Sequence, residues 1–209
     1  MNKLQFYTAR AFRDEATIAS LSAPQSDLLD ALNGKSVALV GNARALAQSD
    51  QGADIDAADV VIRINRAPMP EARSHGTRTD WLALAVRLSD EDLDKIAPRS
   101  TLWMSPKRKR LRHRIATGDG FYLHPLADYE ALRDRLAAPP TTGAMMIDLL
   151  LRSDLSSLTL YGFDFFASQS LSGSRTAQQV PHDFSAEAAW VADMQRRDPR
   201  LRVIRPGSD

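Results

Sequence analysis

The sequence contains no cysteine, and this absence excludes disulfide bonds together with any metal or redox site built from thiolates. It also lacks an apolar run close to the roughly 20 residues that a membrane-spanning helix needs. Charge of one sign is not in excess, because 27 lysines and arginines face 26 aspartates and glutamates, for a net charge of +1. No overall field therefore points to nucleic acid as a partner.

The first twenty residues are charged throughout and lack the apolar core of a signal peptide. We therefore expect a cytoplasmic protein that is at most peripherally attached to a membrane. A chain of 209 residues is long enough to bury a substantial core and suits one α/β domain.

Strand-like and helix-like segments alternate along most of the chain. The apolar runs that predict strands are residues 36–41, 59–64, 80–86, 101–105, 120–124, 158–163 and 201–205. The predicted helices are residues 43–48, 89–96, 107–116, 128–137, 143–152 and 185–196. This alternation predicts an α/β fold, a Rossmann-like, doubly wound, mostly parallel sheet of about seven strands with helices on both faces.

The same pattern predicts the organisation of the chain. Residues 35–209 are expected to form a single domain, and residues 1–34 an extension with a short helix near Ser26–Leu32. Residues 164–180 are rich in serine and glutamine and follow a predicted strand, which favours a mobile loop or lid there.

Polar amides follow two of the predicted strands. One strand reaches Gly41-Asn42, and the next ends at Asn65-Arg66 after one crossover. Because the carboxyl ends of parallel strands share one edge of a sheet, we expect these residues at the floor of a nucleotide site. The segment lacks the G-x-G-x-x-G pattern, and Asn65-Arg66 stands where an NAD site has an acidic residue, so a nicotinamide cofactor is disfavoured.

A second candidate element is Thr141-Thr142-Gly143, which follows two prolines and precedes an apolar helix. Threonine is a good N-cap, and the free amide groups at the start of a helix favour a phosphate or a carboxylate. Ordinary helix capping without a ligand is the alternative.

Three segments together resemble the sialylmotifs of the family 29 sialyltransferases. The first resembles the large motif through Val40-Gly41-Asn42, Ser49, Gly52, Ile55-Asp56, Asp59, Arg63, Asn65-Arg66-Ala67-Pro68 and Gly76-Thr77-Arg78-Thr79. The second resembles the small motif through Pro140-Thr141-Thr142-Gly143 and Tyr161-Gly162-Phe163. The third runs from His182 to Glu187 and resembles the very small motif, a histidine followed five residues later by a glutamate. The three segments occur in the family's order and span most of the chain.

The resemblance implies a GT-A-like variant of the Rossmann-like fold and transfer of a sugar from a CMP-activated donor. His182 corresponds to the family's general base, which takes the proton of the acceptor hydroxyl, and Asp183 or Glu187 is expected to support it. The donor site implied by the resemblance contains Gly41, Asn42, Asn65, Arg66, Thr141, Thr142, Gly143, Tyr161 and Gly162.

The chain departs from the family pattern in two places. The animal enzymes have cysteines that join the large and small motifs, and Ser36 stands near one of these positions. The family also has a short motif with a histidine between the small and very small motifs, whereas the corresponding residues 165–168 include none. This second departure leaves open a catalytically silent module that binds CMP.

One dense run of positive charge occurs, and it consists of Lys107-Arg108-Lys109-Arg110 with Arg112, His113 and Arg114. Such a run usually forms a solvated helix face. The alternative is a patch that contacts an anionic acceptor, lipid head groups or polyphosphate. Interleaved aromatic residues are missing, and this disfavours nucleic-acid binding.

These features together favour a metal-independent, inverting glycosyltransferase that moves sialic acid, or a related nonulosonic acid, to a hydroxyl of a glycan or glycolipid. No metal and no other cofactor is expected, because the histidines and acidic residues show no convincing spacing for a metal site. The alternatives are the silent CMP-binding module, a CMP-Kdo-type transferase, and an interaction protein that docks through the basic run.

Overall fold

Seven parallel strands form one sheet in the computed structural model, which describes residues 1–164 and 182–204. The strands are β1 (Ser36–Val40), β2 (Val60–Ile64), β3 (Trp81–Leu84), β4 (Ser100–Trp103), β5 (Phe121–Leu123), β6 (Ser157–Tyr161) and β7 (Leu201–Val203). Their order across the sheet is β5-β4-β3-β2-β1-β6-β7, and every neighbouring pair is parallel. The expected α/β class and strand number are confirmed.

The strand order reverses once, between β1 and β6. The chain adds strands outward from β1 to β5 and then returns to place β6 on the other side of β1. In open α/β sheets, ligands bind outside the carboxyl ends of the strands at such a reversal. The topology therefore favours the edge where β1 and β6 end as the place of a site.

Ten α-helices and two short 3₁₀ helices lie between the strands or before them in the described residues. The helices are α1 (Lys3–Ala11), α2 (Glu15–Ala19), α3 (Gln25–Asp30), α4 (Gly52–Ala57), α5 (Ala72–His75), α6 (Asp90–Ile96), α7 (His113–Ala116), α8 (Leu126–Leu136), α9 (Thr142–Leu150) and α10 (Phe184–Arg197). The 3₁₀ helices are Arg44–Gln48 and Arg108–Arg110.

Both faces of the sheet are buried, because successive side chains of a strand point to opposite faces. In β1, Val37 and Leu39 pack into a cluster with the residues of α9, whereas Ala38 and Val40 face the cluster that contains Leu46. A third cluster lies under α1 and includes Phe6. The sequences of the strands are consequently continuous apolar runs, which is typical of parallel strands buried on both faces.

Four helices were not expected from the sequence, namely α1, α2, α4 and α5. The expected helix over 107–116 is also wrong, since a 3₁₀ turn and α7 are separated at Leu111. Helix α3 occupies the place of the short helix expected near Ser26–Leu32. The boundary at residue 35 stays a prediction, and the lid expected over 164–180 lies outside the described residues except for Asp164.

Candidate functional site at the carboxyl edge of the sheet

The ends of β1 and β6 are joined beyond the last strand residues. The Gly41 amide donates to the carbonyl oxygen of Tyr161 at 2.7 Å, and the Ala43 amide donates to that of Gly162 at 3.2 Å. The chain segments that carry Gly41-Asn42 and Gly162 therefore leave the sheet side by side at the reversal of strand order.

Asn65 connects the end of β2 to the end of β3 and to the start of α9. Its backbone has a positive φ of 55°, a conformation that asparagine tolerates better than most residues. Its Oδ1 accepts from the Ala85 amide at 2.9 Å, and its Nδ2 donates to Oγ1 of Thr142 at 3.4 Å. Because an amide NH₂ carries two protons, the same group can also donate to a ligand.

Asn42 lies next to this connection. Its Nδ2 donates to the carbonyl oxygen of Ile64 at 3.3 Å, and Ile64 is the residue before Asn65. Both asparagine side chains are half-buried. The two amides that the sequence placed at neighbouring strand ends are thus brought together.

The start of α9 faces the same edge of the sheet. Thr141 is its N-cap, with Oγ1 accepting from the Ala144 amide at 3.1 Å, as the sequence predicts. Thr142 and Gly143 are buried in the first turn. The amide groups of such a turn and the helix dipole favour an anion.

Glu187 holds the residue that caps α9. Its Oε1 accepts from the Thr141 amide at 2.6 Å, and its Oε2 accepts from the Thr141 hydroxyl at 2.8 Å. Burial raises the pKa of Glu187 to about 7, although both bonds from Thr141 act in the opposite direction. The carboxyl group therefore joins α10 to α9 across 46 residues of sequence.

His182 is oriented by a backbone carbonyl. Its Nδ1 lies 2.7 Å from the carbonyl oxygen of Pro139. A carbonyl only accepts, so Nδ1 carries the proton, and the neutral ring presents the lone pair of Nε2. The ring is half-buried and lies 6.0 Å from the ring of Phe184, between centroids.

The two acidic residues expected to support His182 have other contacts. Asp183 caps α10 by accepting from the Ala186 amide at 2.9 Å, and it also accepts from the Ser185 hydroxyl, so these bonds hold its pKa below the usual range. Glu187 holds Thr141, as described above. Pro139, which sequence reasoning missed, orients the imidazole, and no side-chain pattern could have indicated a carbonyl.

Two glycines of the expected donor site, Gly41 and Gly143, lie too close to neighbouring atoms for a larger residue to fit. A Cβ atom on Gly41 would lie 2.4 Å from the carbonyl oxygen of Gly162, and one on Gly143 would lie 2.6 Å from the ring of Phe163. Tyr161 packs in the cluster with Val40 on the opposite face from α9, where burial raises its pKa. Its side chain is therefore mostly buried in that cluster, and its part in the donor site stays a prediction.

The other polar residues of the first motif form a scaffold beneath the site. Asp56 accepts from the amides of Thr77 and Arg78, and these bonds hold its pKa low although burial opposes them. Arg63 is fully buried and donates to the carbonyl oxygens of Arg78 and His75 at 2.9 and 2.6 Å. Burial lowers the pKa of Arg63 to about 10. The motif thereby fixes the end of β2, from which Asn65 emerges.

Some residues of the basic run form structural contacts, and others line a cleft. Arg108 is buried, and its Nη2 lies 2.6 Å from Oε1 of Glu15, so the expectation of a solvated face is wrong for this residue. Arg66 is exposed and lines an open cleft together with Lys109 and Arg110.

Acidic residues do not gather into a metal site in the described part of the chain. Within residues 1–164 and 182–204, no three His, Asp or Glu side chains are placed to hold a metal ion. The sequence contains three Asp-x-Asp patterns, which are Asp54-Ile55-Asp56, Asp90-Glu91-Asp92 and Asp92-Leu93-Asp94. Asp56 is bonded to Thr77 and Arg78 as part of the scaffold, and Asp90 and Asp94 pair with arginines of the basic run. None of the described helices has the length and apolarity to cross a membrane.

Comparison with known proteins agrees with the resemblance stated from the motifs. The model of the family described as Glycosyltransferase family 29 (sialyltransferase) matches residues 3–87. No curated protein matches the chain.

Solved sialyltransferase structures share the fold at low sequence identity. A mammalian sialyltransferase has 19% identity and a TM-score of 0.60, with 82% of this chain and 69% of that chain covered. A mammalian sialyltransferase in complex with Gal-beta-1-3GalNAc-ortho-nitrophenol has 20% identity and a TM-score of 0.57 over the same shares. The sialyltransferase CstII from Campylobacter jejuni, in complex with the substrate analogue CMP-3FNeuAc, has 13% identity and a TM-score of 0.56, with 83% and 82% covered.

Proposed function

We propose that this chain, which matches the family 29 sialyltransferase model over residues 3–87, transfers sialic acid, or a related nonulosonic acid, from a CMP-activated donor to a hydroxyl of a glycan. The proposed reaction is inverting and needs no metal ion. The complex of the structural neighbour CstII with the substrate analogue CMP-3FNeuAc supports this choice of donor.

One observation carries the proposal, namely that separate hydrogen bonds between neighbouring backbone segments bring the candidate residues together at the carboxyl edge of the sheet. Asn42 bonds to the carbonyl next to Asn65, Asn65 bonds to Thr142, and the neighbouring Thr141 bonds to Glu187 on α10. His182 precedes that helix and is tied to Pro139, two residues before Thr141. A nucleotide amide site and an imidazole base are thereby supported as parts of one pocket.

The donor is proposed to bind between the strand ends and α9. The amides of Asn42 and Asn65 can both donate and accept, as contacts to a ribose and a phosphate require. The amide groups at the first turn of α9, at Thr142 and Gly143, would receive the anionic oxygens of the CMP-sugar. Neutralisation by amides and the helix dipole supports a reaction without a divalent cation.

The transfer is proposed as a single displacement. The acceptor hydroxyl oxygen attacks the anomeric carbon, the bond from that carbon to the phosphate oxygen breaks, and the hydroxyl proton passes to Nε2 of His182. CMP leaves as a phosphate, so positioning and anion-binding amides contribute more than protonation of the leaving group.

The test is a donor panel read by CMP release and by thermal melting. We expect CMP, but not UMP, to raise the melting temperature, and CMP-sialic acid or CMP-Kdo to be turned over with an acceptor. Activity should persist in EDTA, and NMR of the product should show inverted anomeric configuration. Absence of both CMP stabilisation and CMP release would overturn the proposal, and activity that depends on added Mg²⁺ or Mn²⁺ would overturn metal independence.

The silent CMP-binding module is the second candidate, because residues 165–168 lack the histidine of the family's short motif. That candidate predicts stabilisation by CMP without release of CMP from either donor. The same two measurements therefore separate the candidates.

A further inference from the structure

An open cleft of about 440 Å³ lies beside the candidate donor site and is lined mainly by positively charged residues. It is bounded by Arg66, Val86, Arg87, Lys109 and Arg110. Four of these five residues are cationic and exposed, and no acidic residue is among them. The volume falls in the range of pockets for small molecules, roughly 300–1,000 Å³.

The cleft lies at the same edge of the sheet as the donor site. Arg66 follows β2, Arg87 follows β3, and Lys109 and Arg110 follow β4, and these three strands are adjacent in the sheet. Arg66 also directly follows Asn65, whose amide contacts α9. The cleft therefore lies on the β3–β4 side of Asn65, whereas the reversal between β1 and β6 lies on the other side.

Two cations of the cleft, Lys109 and Arg110, differ from the neighbouring arginines of the basic run in their ion pairing. Arg108, Arg112 and Arg114 pair with Glu15, Asp90 and Asp94, respectively. In the part of the chain that the structure describes, neither Lys109 nor Arg110 has an ion-pair partner. The contrast indicates that Lys109 and Arg110 direct positive charge toward the solvent in the cleft.

Arg87 contributes a guanidinium group that is held in place by a backbone hydrogen bond. Its Nη2 donates to the carbonyl oxygen of Lys109 at 3.2 Å, which joins the segment after β3 to the segment after β4. A carbonyl oxygen carries no net charge, and none of the carboxylates in residues 1–164 and 182–204 forms an ion pair with Arg87. A guanidinium fork can bind a carboxylate or a phosphate through two parallel hydrogen bonds, so several such groups around one opening favour an anionic ligand.

We propose that this cleft binds an anionic substituent, a phosphate or a carboxylate, on the acceptor glycan. The inference rests on the proposed function, because the acceptor must lie next to the donor for its hydroxyl to reach the anomeric carbon. The donor occupies the β1–β6 side, and the acceptor extends from His182 toward the cleft. The cleft thus selects acceptors that carry negative charge away from the reacting hydroxyl.

The test compares three disaccharide acceptors that differ in one substituent, which is neutral, a 6-phosphate or a uronic acid carboxylate. Each is assayed by CMP release with the wild type, Lys109→Gln, Arg110→Gln and the control Lys107→Gln. Lys107 is exposed in the same segment but does not line the cleft. The three acceptors separate a phosphate from a carboxylate as the recognised group.

We expect kcat/KM for one charged acceptor to exceed that for the neutral one by about tenfold in the wild type, as charge-assisted hydrogen bonds would give. Lys109→Gln and Arg110→Gln should each reduce this ratio severalfold, Lys107→Gln should retain it, and added salt should shrink it. Equal kcat/KM values for all three acceptors, or an unchanged ratio in both cleft variants, would overturn the inference.

Failure of the proposed function is distinguishable from failure of this inference. If no donor is turned over, titration of the three disaccharides into CMP-saturated protein still measures recognition of the charge. Tighter binding of a charged disaccharide, weakened in Arg110→Gln but not in Lys107→Gln, supports the cleft even then, and equal affinities reject it.

Discussion

The Nδ1 atom of His182 lies 2.7 Å from the carbonyl oxygen of Pro139. This bond fixes both the orientation of the ring and the nitrogen that carries the proton. A carbonyl performs here the orienting role that a carboxylate has in many catalytic sites. Because Pro139 is two residues before the N-cap of α9, the imidazole is positioned by the same segment that forms the proposed donor cradle.

We predict that His182→Ala lowers turnover at least about a hundredfold, because general base catalysis contributes typically 10²–10⁴ in rate. The affinity for CMP should change little, since the proposed nucleotide contacts come from Asn42, Asn65 and α9. CMP release and CMP titration measure the two quantities. His113→Ala, at a histidine on α7 whose ring packs against Phe6 of α1, is the control and should keep normal turnover. Unchanged turnover in His182→Ala would remove the base assignment.

Glu187 predicts a pH dependence of stability. Its pKa is raised by burial to about 7 from the ordinary value of 4.5, so the folded state binds a proton that the unfolded state has already lost in this range. The contribution of the protonated group is full below pH 4.5 and is lost as pH rises to about 7, at about 1 kcal/mol per pH unit.

Denaturant unfolding of the wild type and Glu187→Gln between pH 5 and 8.5 measures this effect. We expect the wild type to lose stability relative to the variant up to pH 7 and then run parallel to it. The exposed Glu130→Gln is the control and should follow the wild-type curve at every pH. A constant difference between wild type and Glu187→Gln across the range would contradict the prediction.

The sequence predicts the sheet well because each strand is a short apolar run buried on both faces. It also predicts the cap of α9, since Thr141 stands between two prolines and an apolar helix. Both features depend on local patterns. The proximity of Asn42 to the end of β2 followed from topology, because parallel strands bring their carboxyl ends to one edge. The place of Thr142 beside Asn65 was implied by the family resemblance.

Contacts between distant segments were not predictable in this way. Glu187 and Thr141 are 46 residues apart, and no local pattern indicates that the carboxylate receives the amide of the cap. Arg108 is buried because Glu15, on a helix that the sequence did not indicate, neutralises it. Helices α4 and α5 are short and depend on tertiary packing, since a Cβ on Gly52 would lie 1.8 Å from the carbonyl oxygen of Ala72.

We predict that Arg63→Lys destabilises the protein by about 2–4 kcal/mol, because an ammonium cannot reproduce the fork that reaches several buried acceptors. Arg63 donates through Nε to the carbonyl of Arg78 and the hydroxyl of Thr79, and through Nη2 to the carbonyl of His75. Urea unfolding measures the loss. Arg202→Lys, at an exposed position of β7, is the matched control and should stay within about 0.5 kcal/mol of the wild type. Equal midpoints for the two variants would show that the scaffold does not depend on the guanidinium.

Gly41→Ala tests whether the junction of β1 and β6 shapes the site. The added methyl would lie 2.4 Å from the carbonyl oxygen of Gly162, which belongs to the backbone and cannot rotate away. We expect a loss of about 1–3 kcal/mol in stability, as overpacking of a core gives, and weaker CMP binding because Asn42 moves with the displaced strand end. Gly118→Ala is the control, since its nearest neighbour is the Arg114 carbonyl oxygen at 3.3 Å, and it should cost less than about 1 kcal/mol. Loss of stability in Gly41→Ala with unchanged CMP affinity would mean that the strand junction supports the fold without positioning Asn42 for the nucleotide.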